Sequence, residues 1–589
     1  DLGGVISGEH GIGLTKIQFL EPEKVAAFAR YKQDMDPLGR FNPGKLLPGS
    51  GLERAYTPSL RLISQEAIIL EETELGALND DIKHCLRCGK CKPVCMTHVP
   101  RANLLYSPRN KILGTGLIIE AFLYEEQTRR GLSNRHFEAM NDLADHCTIC
   151  HKCQTPCPVK IDYGEVTTRL RRILVNRRQK RFSPGAWAAL GFLNSRDPRA
   201  IRLLRAGLAR WGFRGLNLAS STAWRLGLYR HEEPPAVTTG QPKAYKLAKE
   251  MIRRPIRVEV PKQTFRQILA LEDSMQIPIL RDPQRQPEEM EAIFYFPGCG
   301  SERLFADIGL ATLALLYDLG AQTVLPPGYL CCGYPQSAAG HEDLGRRLTM
   351  ENRVLFHRVA NTLNYLDIRT VLVSCGTCMD QLLRYEFERI FPGCRLLDIH
   401  EYLMEQGMTL SALSAHQPCP LPAEMDQPAN ATANNISIKR EGKASGFAED
   451  EAIQYLYHDP CHSPMKTYNP LKVASSLLGQ EVTLTDRCCG EAGTLGTARP
   501  DIASQLRYRK RESLLQGIHA LMGQDQAHGR VKLLTSCPAC QQGLARYTDE
   551  TGLTTSYVVT EIAQLHLGPD WQQRFIDRLR DGGIERVLL

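Results

Sequence analysis

Short apolar runs recur along the C-terminal half of the chain, and a cysteine-bearing turn ends each of them. Ala292–Phe296, Val371–Val373 and Val531–Leu534 are such runs. Their length and their β-branched and aromatic content predict buried strands. Stretches with helical spacing follow several of them, as at Arg303–Asp318. Strand, turn, helix in that order predicts an α/β unit whose functional residues sit at strand ends. Further upstream the period changes. Apolar residues three to four apart predict two helices between Thr97 and His146, and another helix over 21–36. Residues 232–262, rich in Pro, Glu, Thr and Lys, and the polar insert 405–450 read as linkers. No run of 18 uncharged apolar residues occurs, so nothing here predicts a membrane span.

With 589 residues the chain has room for about three to five domains. Its hydrophobic content of 43% is ordinary for a soluble protein. Charge changes the picture in one place. Between Arg169 and Arg230 lie fifteen Arg or Lys residues and a single acid, Asp197. Within this stretch Ile201, Leu204, Leu208 and Trp211 can share one helical face, with Arg199, Arg202, Arg205 and Arg210 at other angles. Such a helix can lie on an anionic membrane, or dock on a neighbouring domain with its basic face in solvent. No recognised nucleic-acid motif accompanies the charge, so nucleic acid is not an expected partner.

Eighteen of the twenty cysteines fall into four groups. The first is Cys85-x2-Cys88-x2-Cys91-x3-Cys95; the second is Cys147-x2-Cys150-x2-Cys153-x3-Cys157-Pro158. This spacing wraps three thiolates around one face of a cubane [4Fe-4S] cluster and sends the fourth to the partner cluster. Cys85, Cys88, Cys91 and Cys157 are therefore expected to hold one cubane, and Cys147, Cys150, Cys153 and Cys95 the other. Zinc needs four ligands, usually in two separated pairs, and fits two matched quartets poorly. Met96 stands where proline follows the last cysteine of the second run, a position that shapes a turn but supplies no ligand. With helices inserted between the runs, the segment predicts an α-helical ferredoxin module. Thiolate clusters favour a reducing compartment, hence the cytoplasm, with the inner face of the cell membrane left open.

The other two groups repeat. YFPGCGS at 295–301, CCGYP at 331–335 and LVSCGTC at 372–378 match YHDPCHS at 457–463, CCGEAG at 488–493 and LTSCPAC at 534–540. From Cys299 to Cys375 and from Cys461 to Cys537 the span is 76 residues in both halves. Equal spans with the same motif order predict an internal duplication. Adjacent cysteines cannot readily grip one tetrahedral ion, but they can hold two irons of a larger cluster; a redox-active disulfide is the alternative. Cys394 and Cys419 fall outside the pattern, as a core thiol and a loop thiol.

These C…CCG…CxxC halves resemble the cysteine-rich CCG domains of the heterodisulfide reductases. They also resemble the iron–sulfur subunits of glycolate oxidase, anaerobic glycerol-3-phosphate dehydrogenase and lactate-utilisation systems. The resemblance implies up to two noncubane [4Fe-4S] clusters with five cysteine ligands each. One set would be Cys299, Cys331, Cys332, Cys375 and Cys378; the other Cys461, Cys488, Cys489, Cys537 and Cys540.

Near the start, Ser-Gly-Glu-His-Gly-Ile-Gly at 7–13, the helix, and DPLGRFNPGKLLPG at 36–49 resemble the end of the FAD-linked oxidase fold. That family includes D-lactate dehydrogenases, glycolate oxidases and D-2-hydroxyglutarate dehydrogenases. The resemblance places His10 at flavin and substrate, gives Glu9 to a divalent metal in one branch, and puts Asn42 and Lys45 near the flavin. The chain opens without Met and already inside a motif, and so reads as the C-terminal part of a larger polypeptide whose preceding region would hold FAD.

The expected fold is thus multidomain, α/β and α. Its parts are an FAD-linked oxidase tail at 1–50, a ferredoxin module at 75–165 and a basic helical connector and linker at 166–262. CCG halves at 290–404 and 451–570 flank the linker at 405–450, and a C-terminal tail covers 571–589. The expected function is electron transfer within a flavin-dependent 2-hydroxy acid dehydrogenase, with a quinone or redox protein as acceptor and peripheral membrane contact left open. Alternatives are a heterodisulfide-reductase-like enzyme and a non-enzymatic electron-transfer subunit.

Overall fold

In a computed structural model the described residues are 20–41, 44, 46–47, 74–99, 103–127, 134–227, 237–238, 240, 244–255, 261–286, 290–410, 453–491 and 494–589. The chain divides into two compact units, Asp1–Ala67 and Ile68–Leu589.

In the first unit a helix covers Pro22–Met35, with proline at its first turn, where a missing N–H costs nothing. Asp36 ends it and ties the following turn. Its carboxylate accepts from the backbone N–H of Arg40 and of Phe41, both at 2.8 Å, and pairs with Lys32 at 3.3 Å. The Phe41 N–H is the main reason its pKa lies below the ordinary carboxylate value.

The second unit begins with helices Glu74–Ile82, Pro108–Gln127, Asn134–Asp145 and Tyr163–Asn176. The two helices expected between the cysteine runs are the middle pair. Asp162 caps the last helix, accepting from Gly164 N at 2.7 Å. The basic stretch is not one helix. It runs as Pro184–Asn194, Pro198–Leu204, a π-helical Arg205–Gly212, and Phe213–Arg225. Ile201 is buried as expected. Arg205 is buried too, contrary to its expected solvated angle, because its guanidinium donates to the carbonyls of Arg303, Pro261 and Gln263. The expected linker also contains a helix, Ala244–Arg253, which packs on helix Pro500–Met522. Arg254, just beyond it, pairs with Glu550 at 2.7 Å. The polar composition hid a helix whose partner lies some 250 residues away.

Ten strands lie among the described residues. They are β1 (Gln276–Leu280), β2 (Ala292–Phe296), β3 (Gln322–Val324), β4 (Ile368–Val373), β5 (Arg395–Asp398), β6 (Gln454–His458), β7 (Val482–Leu484), β8 (Val531–Thr535), β9 (Thr554–Tyr557) and β10 (Ile584–Leu588). One sheet has the order β10-β1-β3-β2-β4-β5, the other β7-β6-β8-β9. The parallel core β3-β2-β4-β5 has its counterpart in β7-β6-β8-β9, so the sequence repeat is a structural repeat. The central strand β2 is buried along its whole length, as its unbroken apolar run requires of a strand covered on both faces.

Two strands from outside the expected 290–404 segment complete the first sheet. β1 pairs antiparallel with β3, and β10, from the chain's last residues, pairs antiparallel with β1. The expected tail is therefore a working part of the first half. Trp571, Phe575 and Ile576 on helix Trp571–Arg578 are buried, and Phe575 meets Tyr317 edge-on at 5.8 Å. The expected helix Arg303–Asp318 breaks at Leu304–Phe305 into Gly298–Arg303 and Ala306–Asp318. The latter packs on Val558–His566 of the second half, so one hydrophobic core joins both halves.

Candidate iron–sulfur centres

The two ferredoxin-type runs adopt the same backbone shape. Arg87 and Ile149, each just before the second cysteine of its run, have φ of 55° and 54°; Gly89 and His151, just after it, have φ of 80° and 56°. These left-handed turns curl each run around its own thiols. For non-glycine residues, above all the β-branched Ile149, they are costly, which marks them as functional constraints. Cys85, Cys88, Cys91 and Cys157 line one pocket, with Cys153, Ile112 and Tyr163 at its wall. The other quartet surrounds Lys111. Its buried ammonium donates to the His146 carbonyl at 2.6 Å and Thr97 Oγ1 at 3.3 Å. Burial disfavours its charge, but the thiols of Cys95, Cys147, Cys153 and Cys150 outweigh that and hold its pKa above the ordinary lysine value. Cys157 thus lies with the first triad and Cys95 with the second.

The ten remaining motif cysteines follow the carboxyl ends of parallel strands. Cys299 follows β2, Cys375 β4, Cys461 β6 and Cys537 β8; the doublets Cys331-Cys332 and Cys488-Cys489 follow the loops after β3 and β7. The glycine closing each doublet has positive φ, 90° at Gly333 and 83° at Gly490. A Cβ on Gly333 would come within 2.8 Å of the Gly345 carbonyl, so the turn after the doublet admits no larger residue without a shift.

The ten thiols neighbour one another in one line. Cys331 lies beside Cys299 and Cys332, and Cys378 beside Cys332 and Cys375. Cys537 of the second half lies beside Cys375 of the first. Cys489 donates to Cys540 at 3.4 Å; Cys540 also neighbours Cys537, and Cys488 neighbours Cys489 and Cys461. Cys461 also lies beside Cys150 in the second ferredoxin-type run, and its proximity pulls that thiol down to about 5. Neighbouring thiols hold Cys331, Cys375 and Cys489 well below the usual thiol range. None of the described cysteines is disulfide-bonded.

The frames around the two five-cysteine sets also repeat. Tyr295 OH meets Ser374 Oγ at 2.8 Å, and Tyr457 OH meets Ser536 Oγ at 2.9 Å. Around the first doublet Asn352 donates to the Cys331 carbonyl at 2.8 Å, and Tyr385 to the Cys332 carbonyl at 2.9 Å. Other polar residues break the symmetry. His462 bonds Tyr334 OH at 3.0 Å and Asp380, bridging the halves, while Lys510 bonds His458 at 3.1 Å. Sequence reasoning had not singled out Lys111, His458, His462 or Lys510. For the two histidines a signal existed: YHDPCHS departs from YFPGCGS at those very positions. For the buried lysines nothing in the sequence separates them from surface lysines. Burial raises the Cys394 thiol to about 11, and it stands apart from both sets. Cys419, Glu9, His10, Asn42 and Lys45 lie outside the described residues.

Four family models match segments of the chain. "FAD linked oxidases, C-terminal domain" matches residues 1–46, and "4Fe-4S dicluster domain" matches 80–161. "Cysteine-rich domain" matches twice, at 293–382 and 455–545, and a domain of unknown function matches 545–589. The probable glycolate oxidase iron-sulfur subunit of Bacillus subtilis is 22% identical over 83% of this chain and 94% of its own length. The glycolate oxidase iron-sulfur subunit of Escherichia coli is 22% identical over 74% of this chain and 86% of its own. The D-2-hydroxyglutarate dehydrogenase of Escherichia coli is 24% identical over 30% of this chain and 21% of its own. No solved structure matches significantly. The chain is thus a multidomain α and α/β iron–sulfur protein that joins an FAD-linked oxidase C-terminal segment to a 4Fe-4S dicluster domain and two cysteine-rich domains.

Proposed function

We propose that this chain carries electrons from a flavin that oxidises a D-2-hydroxy acid to the 2-keto acid. The flavin would be held by an FAD-binding domain or subunit working with residues 1–50. Two cubanes, on Cys85, Cys88, Cys91, Cys157 and on Cys95, Cys147, Cys150, Cys153, would receive the electrons. Two noncubane clusters, on Cys461, Cys488, Cys489, Cys537, Cys540 and on Cys299, Cys331, Cys332, Cys375, Cys378, would pass them to a quinone or redox protein. The observation that supports this reading is the succession of neighbouring thiols from Cys150 through both halves to Cys299. Iron–sulfur clusters supply one-electron capacity; the protein supplies thiolates, close spacing and burial. The buried Lys111 ammonium would balance thiolate charge at the second cubane.

His10 would position or deprotonate substrate, Glu9 would bind a divalent metal, and Asn42 and Lys45 would lie near the flavin. No helix among the described residues is long and apolar enough to cross a membrane. Exposed Trp187, Leu203 and Leu218, on helices that also expose Arg199, Arg214 and Arg225, support peripheral contact with an anionic membrane surface.

The test is turnover of D-lactate, glycolate and D-2-hydroxyglutarate with an artificial acceptor, using the chain together with its FAD-binding partner region. His10→Ala should cut turnover sharply while FAD and iron content stay near wild type. Glu9→Gln should lower activity and remove bound divalent metal. Wild-type rates in the His10 variant would remove it from the active site. Turnover of a heterodisulfide with none of any hydroxy acid would favour a reductase acting at the cysteine-rich centres.

A further inference from the structure

The two cysteine-rich halves differ at one buried position beside their thiols. Tyr295-Phe296-Pro297-Gly298-Cys299 ends β2, and Tyr457-His458-Asp459-Pro460-Cys461 ends β6. Phe296 and His458 hold equivalent places and each is 1% exposed. In the second half a ring nitrogen of His458 and the sulfurs of Cys489 and Cys540 all lie within 4.8 Å of one another. The ring interacts with Cys489, yet Nε2 is buried with no partner of hydrogen-bond geometry. A buried polar nitrogen without a partner is destabilising. It would persist only if something absent from the bare chain receives it.

The other ring nitrogen is already committed. Lys510, fully buried on helix Pro500–Met522, places its ammonium 3.1 Å from His458 Nδ1, 2.5 Å from Thr485 Oγ1 and 2.8 Å from the Asp486 carbonyl. The Thr485 carbonyl lies at 3.4 Å as a fourth acceptor; a protonated lysine only donates, so Nδ1 accepts. The proton of the neutral ring is then on Nε2, the orphaned atom. A nitrogen that bears hydrogen donates to sulfur and cannot bind iron. In the first half the equivalent phenyl ring can do neither.

We propose that His458, held in this tautomer by Lys510, donates an N–H bond to a sulfur of the C-terminal cysteine-rich centre and makes it the more readily reduced of the two. The inference rests on the reading that both halves hold iron–sulfur clusters. Hydrogen bonds to cluster sulfur and nearby positive charge stabilise the added negative charge of the reduced state. The electron comes from the adjoining cubane, which is oxidised by one electron as this centre gains one. Position supports the assignment: Cys461 of this half lies beside Cys150 of the ferredoxin module, and the rings of the adjacent His462 and His151 meet at 5.5 Å. The C-terminal centre is thus the entry station of the cysteine-rich pair, and Lys510 is a positioning residue.

The experiment uses the full chain, purified without oxygen, with iron and acid-labile sulfide measured first and redox titrations followed by paramagnetic resonance. Cys332→Ser and Cys489→Ser assign the signals of the N- and C-terminal centres. In His458→Phe the C-terminal centre should lose about tenfold in its reduced-to-oxidised ratio at fixed potential, about 59 mV for one electron, with the N-terminal centre unmoved. His458→Gln, which restores an N–H donor, should recover much of the loss. Lys510→Met should shift the same centre in the same direction. Pulsed resonance of the wild type should show a weakly coupled nitrogen that His458→Phe removes. An unmoved potential with full iron content would overturn the proposal, as would a strongly coupled nitrogen, which would make His458 a ligand. If His458→Phe loses its cluster, Lys510→Met decides, and an unmoved potential there overturns it. Absence of clusters from the wild-type cysteine-rich halves would instead overturn the underlying reading.

Discussion

At the scale of single residues, cysteine spacing was legible because ligand geometry leaves little freedom. Three thiols with two residues between successive ones turn around one centre here through the left-handed angles of Arg87, Gly89, Ile149 and His151. The crossing of the fourth ligands can be tested directly. Cys95→Ser should damage the centre that includes Cys147, Cys150 and Cys153, and spare the one that includes Cys85, Cys88 and Cys91. Low-temperature paramagnetic resonance of the reduced variant should lose the spin coupling between the cubanes; an unchanged coupled spectrum would refute the crossing. Lys111 and Lys510 were not legible, and His458 only as a departure from the repeat. A buried lysine is spelled like an exposed one, and its surroundings come from elements distant in sequence.

At the scale of elements, the parallel strands of both halves were read from short apolar runs, because strands covered on both faces need no alternation. The edges of the first sheet were not. β1 and β10 lie 304 residues apart at their paired ends, Leu280 and Ile584, and nothing local couples them. The helix before β10 anchors this strap through buried Trp571 and Phe575. Trp571→Ala should cost about 3–5 kcal/mol in the first half's local stability. Urea titration should show a lower midpoint, and limited proteolysis should cut between residues 265 and 330 sooner than in the wild type. Unchanged proteolysis there would mean that the strap does not support this sheet. The helix Ala244–Arg253 was hidden for a similar reason: its polar face looked like a linker, and the surface it packs on lies on Pro500–Met522.

At the scale of the whole molecule, the order of modules along the chain is not the order of centres in space. The sequence places the first cysteine-rich half next after the ferredoxin module, yet the ferredoxin thiol Cys150 meets Cys461 of the second half. The halves then meet through Cys375 and Cys537. Arg499 fastens this arrangement. Buried beside the second half, it reaches Asp145 of the ferredoxin module at 2.8 Å and Asp501 at 2.9 Å. Removing one partner from such a buried network costs about 3–5 kcal/mol. Arg499→Met should therefore slow electron passage from the cubanes to the cysteine-rich centres while leaving iron content unchanged. Rapid-freeze resonance after reduction of the cubanes would measure it, and an unchanged rate would separate this contact from the path. The proposed electron path needs four filled sites. Iron and acid-labile sulfide should be counted on anaerobically purified protein, with Mössbauer spectra to distinguish cluster types. About sixteen irons per chain are expected, half in cubanes and half in the cysteine-rich halves; about eight irons, or stoichiometric zinc without sulfide, would rule out four iron–sulfur clusters.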